Sequence, residues 1–176
     1  MTVRTFEGDR PAINPTAYID EQATIIGEVT IEKNANVWPG AVIRGDLGSV
    51  VIEEGAAIQD NTVIHADEGC ETVIGPFATI AHCAVVHGAS IGRETLVGMN
   101  AVVLDDVTVD ERSIVAAGSV VTEGKTFPSN VLVAGIPAEV RKEIDTNRWF
   151  EAGAEYVELA SRHMESSETV IDGGHD

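Results

Sequence analysis

Three histidines, His65, His82 and His87, lie close together in a chain that contains five histidines in all. The neutral imidazole ring is a common metal ligand, and it is also the side chain that gains and loses a proton near neutral pH. The three residues therefore offer a metal site, with a surface or capping role for each histidine as the alternative. Which role applies depends on the elements that position them.

An aliphatic residue recurs at nearly every sixth position over most of the chain. The recurring residues are Ile19, Ile25, Ile31, Val37, Ile43, Ile52, Ile58, Ile64, Ile74, Ile80, Val86, Ile91, Val97, Val103, Val109, Val115 and Val121. A fixed short period of this kind is typical of a solenoid. Because six residues accommodate one short strand and one turn, three units form a triangular coil with the aliphatic side chains inside. The sequence predicts an all-β solenoid, a parallel β-helix of about 5–6 triangular coils.

The repeat also sets the expected boundaries along the chain. The β-helix domain is predicted over residues 1–125 and an exit segment over 126–142. The apolar period then becomes helical, which predicts a C-terminal α-helix over 143–165 that packs on the β-helix. A polar tail is expected over 166–176.

Two of the histidines fall in one outward-facing column of the predicted coils. His65 and His87 each follow an inward aliphatic residue, and three units, or one coil, separate them. Neighbouring coils lie about 4.8 Å apart, so the two rings stack on each other. Arg44 occupies the same column one coil below.

His82 lies on a neighbouring face, near a corner of its coil. Asp60 is one coil below it, with Gln59 alongside. Two stacked imidazoles can share a metal through nitrogen–metal bonds of about 2.0–2.1 Å, and a third ligand must then come from nearby. His82 would reach such a site most naturally from another subunit. The spacing therefore predicts an oligomer with an interfacial site, which threefold symmetry would close.

The motifs of these coils match a known family when they are taken in order. They are Arg44-Gly45-Asp46, Gln59-Asp60-Asn61, His65 and the run from His82 to His87. With them the chain resembles the γ-class carbonic anhydrases over nearly its whole length, in the subgroup with a short loop after the first histidine. The resemblance implies a left-handed parallel β-helix that forms a homotrimer. It also implies three interfacial sites for Zn²⁺, with Fe²⁺ or Co²⁺ as alternatives, in which His65 and His87 come from one subunit and His82 is donated by its neighbour.

The same resemblance implies the reversible hydration of carbon dioxide to bicarbonate by a metal-bound hydroxide, a lyase reaction. The metal lowers the pKa of its bound water from 15.7 to about 7. By this resemblance Gln59 orients the metal-bound water and Asn61 positions the substrate. Arg44 and Asp46 form an ion pair between subunits, Arg44 also contacts bicarbonate, and Asp60 joins the same network.

Proton export and the C-terminal helix add two further candidates. The loop after His65, ADEGCE, is short and carries Glu68 as the candidate proton shuttle beside Asp67, with a solvated turn as the alternative reading. Tyr156 matches a tyrosine on the family's C-terminal helix and is expected near the site, with core packing as the alternative.

The formal net charge of −18, with 29 acidic residues against 11 basic ones, limits which classes of partner are expected. Such a surface repels phosphate backbones and anionic membranes, so neither nucleic acid nor a membrane is an expected partner. Salt screens the self-repulsion of such a surface, which favours a halophilic source. The absence of an apolar leader or span predicts a cytoplasmic location, where Cys70 and Cys83 would be reduced.

Two other functions stay open from the sequence. A hexapeptide-repeat enzyme that acts on acyl groups or coenzyme A thioesters would use a single catalytic histidine. The acidic surface opposes the phosphates of coenzyme A, which counts against it. A metal-dependent thioesterase on the same scaffold is a related option. A metal-binding trimer without catalysis would keep the three histidines and lack efficient proton transfer.

Overall fold

The computed structural model describes residues 1–145 and 152–168, which consist mainly of short strands separated by tight turns. In chain order the elements of these residues are β1 (Thr2–Arg4), β2 (Ala12–Ile13), β3 (Tyr18–Ile19), β4 (Thr24–Ile31), β5 (Asn36–Val37), β6 (Val42–Ile52), β7 (Ala57–Ile58), β8 (Val63–His65), β9 (Glu71–Ile74), β10 (Thr79–Ile80), β11 (Val85–His87), β12 (Ser90–Ile91), β13 (Leu96–Val97), β14 (Val102–Val103), β15 (Thr108–Val109), β16 (Ile114–Val115), β17 (Val120–Val121), β18 (Thr126–Phe127), β19 (Val131–Gly135), β20 (Ala138–Glu143) and α1 (Ala152–Ser166).

The strands stack in parallel on three faces of a triangular prism. Face one holds β1, the first halves of β4 and β6, and then β8, β11, β14 and β17. Face two holds β2, the second halves of β4 and β6, and then β9, β12, β15 and β18. Face three holds β3, β5, β7, β10, β13, β16 and β19. The fold class is as predicted. The coils number about seven rather than 5–6, because strands before Ile19 and after Val121 also join the stack.

The interior of the prism is a stack of aliphatic side chains. Ile25, Ile43 and Ile64 lie one above another on face one and are fully buried. The small residues two positions earlier, such as Ala23 and Ala41, point the same way and leave room for them. Burial of each isoleucine is worth about 1.5–3 kcal/mol. The register is therefore fixed, because a slip of one residue would turn every aliphatic side chain outward.

The corner between faces three and one depends on left-handed backbone. Asn61, Cys83 and Asn100 occupy equivalent corner positions on three successive coils, with φ of 57°, 61° and 56°. Asparagine tolerates this conformation well, whereas cysteine has no such preference. These turns project the preceding residues, Asp60 and His82, from the corner.

The two long strands β4 and β6 pass around the corner between faces one and two without a break. Gly27, with a φ of 77°, lies so close to the carbonyl oxygen of Gly45 that a Cβ atom there would overlap it. The pairing shifts register between Gly27 and Val29. Glycine at both positions lets the two strands bend together while they stay paired.

The C-terminal part of the chain contains the last strands of the solenoid and a helix that packs against it. Region 126–142, which is predicted as an exit segment, contains the last parallel strands, β18 and β19, and most of β20, which pairs antiparallel with β19. The helix α1 begins later than the predicted 143, after a strand that reaches Glu143, and it contacts β3, β5 and β7 on face three. Residues 146–151 of the predicted helix and 169–176 of the predicted tail lie outside the described residues.

Within residues 1–145 and 152–168, no helix has the length and apolar character needed to cross a membrane.

Candidate active site

The outward column on face one assembles as the sequence predicts. Strand pairing places Arg44, His65 and His87 on successive coils in register. His65 is only 7% exposed, and its ring centroid lies 4.9 Å from that of His87. The column therefore brings two imidazoles into contact directly above Arg44.

Every ring nitrogen of these two histidines has a partner. Nδ1 of His65 lies 2.9 Å from Nε2 of His87, and Nε2 of His65 lies 3.0 Å from Oδ1 of Asp46. Nδ1 of His87 lies 2.7 Å from Oδ1 of Asp105, one coil above. We call Asp46, His65, His87 and Asp105 the histidine cluster. Its three contacts are satisfied together when the two rings carry three protons, one more than two neutral rings.

Arg44 completes the charge balance of the histidine cluster. Its Nη1 donates to both carboxylate oxygens of Asp46, at 2.9 Å and 2.7 Å. Burial acts to raise the pKa of Asp46, but the hydrogen bonds from Arg44 and His65 outweigh it and hold that pKa below its usual range. Arg44 and Asp46 thus pair within one chain, and the expected ion pair between subunits stays a prediction.

The loop after His65 approaches the histidine cluster through Asp67 rather than Glu68. Oδ1 of Asp67 lies 3.8 Å from Nε2 of His87, whereas Glu68 is exposed and makes no hydrogen bond or ion pair with the described residues. Asp67, His65 and His87 offer possible metal-ligand atoms within 4.8 Å of one another. The candidate shuttle Glu68 therefore stays a prediction without a contact that supports it.

The second column forms a pair that we call the corner dyad, Asp60 and His82. Nδ1 of His82 lies 2.9 Å from Oδ2 of Asp60, and the two side chains are 42% and 40% exposed. Nε2 of His82 has no hydrogen-bond partner among the described residues. When Nδ1–H donates to the carboxylate, Nε2 carries a lone pair that faces outward. This is the arrangement of a general base that a carboxylate orients.

Two amide side chains flank the corner dyad. Gln59 is 5% exposed, and its Oε1 accepts a hydrogen bond from the backbone N–H of His82 at 3.2 Å. Asn61 is exposed and its side-chain amide lies against Gly40, one coil below. The repeat places Gln59 beside Asp60 and His82, as expected, and the position of Asn61 follows from its place in the same turn.

An aromatic cluster adjoins the same corner and holds the helix. Trp38 makes edge contacts with Tyr156 at 5.5 Å and with His163 at 5.1 Å, and Tyr18 lies 5.1 Å from Trp38. Burial and then the charge of Asp60 raise the pKa of Tyr156, so its phenol lies within the field of the corner dyad. Tyr156 therefore packs against the solenoid and lies beside the candidate site.

The tyrosine at the base of this cluster has a strongly shifted acidity. Burial, a hydrogen bond to Asp20 and the nearby charges of Asp60 and Glu21 raise the pKa of Tyr18 to about 12. Its hydroxyl donates to Oδ2 of Asp20 at 3.0 Å. The corner therefore has a negative potential that three carboxylates supply.

Sequence reasoning missed Asp105, which binds His87. The column gave only a partial signal, because the position above His87 in register is Leu104, and Asp105 is the residue after it. That the side chain of Asp105 reaches back to His87 is a tertiary fact. The role of His163 in the aromatic cluster had no sequence signal, because the repeat does not fix how the helix docks.

An open groove of about 490 Å³ lies on face two and contains neither histidine site. Its lining includes Glu53, Ser90, Arg93 and Thr108. This groove therefore does not coincide with either histidine site.

Comparison with known proteins identifies the class to which this fold and site belong. Residues 88–123 match the family described as "Bacterial transferase hexapeptide (six repeats)". The carnitine operon protein CaiE of Escherichia coli K12 is 36% identical over 173 residues, which cover 96% of this chain and 88% of CaiE. The chain belongs to this hexapeptide-repeat transferase family, with a left-handed parallel β-helix as the resemblance implied.

Two solved structures agree with this assignment. A hexapeptide transferase family protein from Anaplasma phagocytophilum is 38% identical, with a TM-score of 0.87. The match covers 91% of this chain and 96% of that protein. A putative acetyltransferase from Bacillus cereus is 27% identical, with a TM-score of 0.90. The match covers 93% of this chain and 97% of that protein. Both solved structures are thus described as transferases.

The expectation of a carbonic anhydrase is wrong, since the relatives are a carnitine operon protein and transferases. The lyase assignment, Zn²⁺ with its alternatives Fe²⁺ and Co²⁺, and carbon dioxide and bicarbonate as partners are corrected with it. The roles of Gln59 and Asn61 at a metal-bound water no longer apply.

Proposed function

We propose that this protein is an acyltransferase, which moves an acyl group from a coenzyme A thioester to the hydroxyl or amino group of a small acceptor. The observation that carries the proposal is the corner dyad, in which Asp60 holds Nδ1 of His82 and leaves Nε2 without a partner among the described residues. The transferase relatives support this reaction class. The carnitine operon protein makes alcohols such as carnitine part of the acceptor set to be tested.

His82 is the base and Asp60 the positioning residue in this proposal. Nε2 of His82 removes the proton of the acceptor as its oxygen or nitrogen attacks the thioester carbonyl carbon. The carbon–sulfur bond then breaks, and the coenzyme A thiolate takes the proton back from Nε2. The carboxylate of Asp60 fixes the tautomer and stabilises the imidazolium that forms in between.

The net charge of −18 is compatible with an anionic acyl donor when salt screens the repulsion between them. Exposed charges repel the phosphates of coenzyme A over a distance of about 8–10 Å at physiological ionic strength, and salt shortens that distance. The KM for acetyl-CoA should therefore fall as KCl rises. A shorter donor without phosphates, acetyl-pantetheine, should show a much smaller salt effect.

The proposal includes a homotrimer, the assembly that hexapeptide-repeat proteins typically form. Val42, Val63, Val85, Val102 and Val120 occupy one outward column of face one. Val63 is 39% exposed, so the column presents an apolar stripe that a second copy could cover. This stripe lies next to the corner that carries His82. In a trimer closed through face one, His82 of one subunit would face the next subunit.

An interface variant tests the trimer. Val63→Asp places a charge on the stripe and should yield monomers in light scattering coupled to size-exclusion chromatography, because a buried unpaired charge is costly. Ser90→Asp, at an exposed outward position of face two, is the control for added charge. A monomeric wild-type protein at micromolar concentration would exclude the trimer.

A direct assay tests the reaction. The purified protein is incubated with acetyl-CoA and a panel of alcohols and amines that includes carnitine. Free thiol release and the mass of the acetylated acceptor are both measured. We expect both products with the wild type, neither with His82→Gln, and both with the control Glu21→Gln, an exposed corner position two coils below Asp60. Thiol release without an acetylated acceptor would indicate hydrolysis instead, and the absence of both would exclude the proposal.

A further inference from the structure

Gln59 is a buried polar side chain in an unusual place. It lies on face three in one outward column with Trp38 below and Ala81 above, and it is 5% exposed. Burial of an amide is costly unless its hydrogen-bonding groups find partners. Its oxygen has one, the backbone N–H of His82 at 3.2 Å.

That hydrogen bond settles which way the amide points. A backbone N–H can donate only to the carbonyl oxygen of glutamine and not to its NH₂ group. Oε1 of Gln59 therefore faces the backbone of His82, and Nε2 is directed elsewhere.

The nitrogen of this amide reaches the surface. Among the described residues, no fully buried side-chain nitrogen or oxygen lacks a hydrogen-bond partner. Nε2 of Gln59 has no partner among those residues, so it must be the atom through which Gln59 is exposed. The corner thus presents a fixed N–H donor next to the base.

We infer that Gln59 is the oxyanion donor of the proposed acyl transfer, so that Nε2–H donates to the thioester carbonyl oxygen while His82 deprotonates the acceptor. This inference rests on the proposed function. As the acceptor attacks, the carbonyl π electrons move to oxygen, and the resulting alkoxide accepts the hydrogen bond from Gln59. When the carbon–sulfur bond breaks, the electron pair returns and the carbonyl re-forms.

The packing of Gln59 suits this role. A donor acts strongly on a developing charge when it is held in place before the reaction and is shielded from water. Gln59 is only 5% exposed, and its hydrogen bond to the backbone of His82 restrains the amide beside the residue that carries the base. One side chain thereby couples the position of the base to that of the oxyanion.

A purely structural role for Gln59 would require only its oxygen, and a near-isosteric variant separates the two roles. Gln59→Glu keeps an oxygen that accepts from the backbone of His82 and replaces the NH₂ donor by a second oxygen. Gln22→Glu adds the same charge at an exposed corner residue and serves as the control. Melting curves and light scattering establish that both variants fold and assemble as the wild type does.

The expected result is a loss in kcat of roughly 10²–10³-fold for Gln59→Glu, with the KM for acetyl-CoA within about threefold of the wild type. Gln22→Glu should retain the wild-type kcat. Retention of more than a third of the wild-type kcat by Gln59→Glu would overturn the inference. A wild type that transfers no acetyl group would overturn the proposed function itself, which keeps the two failures distinct.

A second measurement needs no variant. In the dithioester analogue of acetyl-CoA, sulfur replaces the carbonyl oxygen and accepts hydrogen bonds weakly. The ratio of the rate with acetyl-CoA to the rate with the dithioester should be larger for the wild type than for the uncatalysed reaction, by roughly tenfold or more. An equal preference in both reactions would show that no donor acts on the oxyanion.

Discussion

The histidine cluster and the corner dyad use the same side chain in opposite ways. In the cluster, His65 and His87 bind each other and two carboxylates, so that all four ring nitrogens have partners. In the dyad, His82 binds one carboxylate and keeps Nε2 without a partner among the described residues. The two regions lie on adjacent parts of the same coils and differ in how many ring nitrogens are engaged.

This difference separates a stabilising role from a chemical one. A nitrogen that already donates or accepts a hydrogen bond must break it before it can act on a substrate. The cluster lies on a face with little exposure, whereas the dyad is two-fifths exposed and can meet a substrate without rearrangement. We therefore expect the cluster to hold adjacent coils together and the dyad to carry the reaction.

The largest expected effect is on activity at the dyad. His82→Gln should lower kcat by about 10²–10⁴-fold, because a positioned general base contributes that much. Its free energy of unfolding should change by less than about 0.5 kcal/mol, since the site is a half-exposed surface. Steady-state kinetics and chemical denaturation measure the two quantities. If His82→Gln lowered the free energy of unfolding but left the kcat of the folded protein unchanged, His82 would have the stabilising role that we assign to the histidine cluster.

The converse change addresses the histidine cluster. His87→Gln removes the contacts with His65 and Asp105 and should lower the free energy of unfolding by about 1–2 kcal/mol, because polar groups are left unsatisfied in a partly buried site. The kcat of the folded protein should stay within about threefold of the wild type. Denaturant titration gives the first value, and kinetics normalised to folded protein gives the second. A loss in kcat equal to that of His82→Gln would place the cluster in the reaction.

Two matched carboxylate variants sharpen the contrast. Asp60→Asn should lower kcat by roughly tenfold, because the amide no longer stabilises the imidazolium, and the exposure of the pair moderates the effect. Asp105→Asn makes the same chemical change at His87 and should affect the melting temperature while sparing kcat. Equal kinetic effects from the two substitutions would contradict the distinction.

The smallest expected effect is electrostatic and concerns Tyr18. Its pKa is raised to about 12, so absorbance near 295 nm should show one tyrosine that ionises well above 10. The unfolded chain loses this proton near pH 10 and the folded one near 12. The stability that the neutral phenol contributes is therefore complete below pH 10 and is lost as the pH rises to about 12. Tyr18→Phe should remove that loss, and Asp60→Asn should lower the pKa of Tyr18 slightly. A pKa near 10 in the folded protein would contradict the assigned contacts.

The solenoid and its columns could be predicted from the sequence because burial alone dictates them. An aliphatic residue at each sixth position fixes the register, and the register then fixes that Arg44, His65 and His87 stack and that His82 lies above Asp60. The orientation of the rings could not be predicted. It depends on Asp105 and on the direction of each side chain, which the period does not encode.

The reaction class could not be predicted either, for a related reason. The same columns of histidine, aspartate and glutamine suit a metal site when the nitrogens converge on one point and a general base when one nitrogen is held and the other is exposed. Which ring nitrogens are held by a neighbour and which are exposed, as in the contact between His82 and Asp60, is a tertiary fact that the period does not encode. The halophilic source and the cytoplasmic location rest on composition alone and stay predictions.

The unbroken passage of β4 and β6 around one corner has a consequence for how the molecule opens. In a solenoid each coil is stabilised by its nearest neighbours, so unfolding advances from the ends. β6 pairs with β4 below it and with both β8 and β9 above it, and it therefore ties two faces together where other coils have separate strands. Backbone amides of β6 should exchange with deuterium more slowly than those of the first and last coils. His65 rests directly on this strand through its pairing with Arg44, so fraying at either end of the chain can proceed without reaching the histidines.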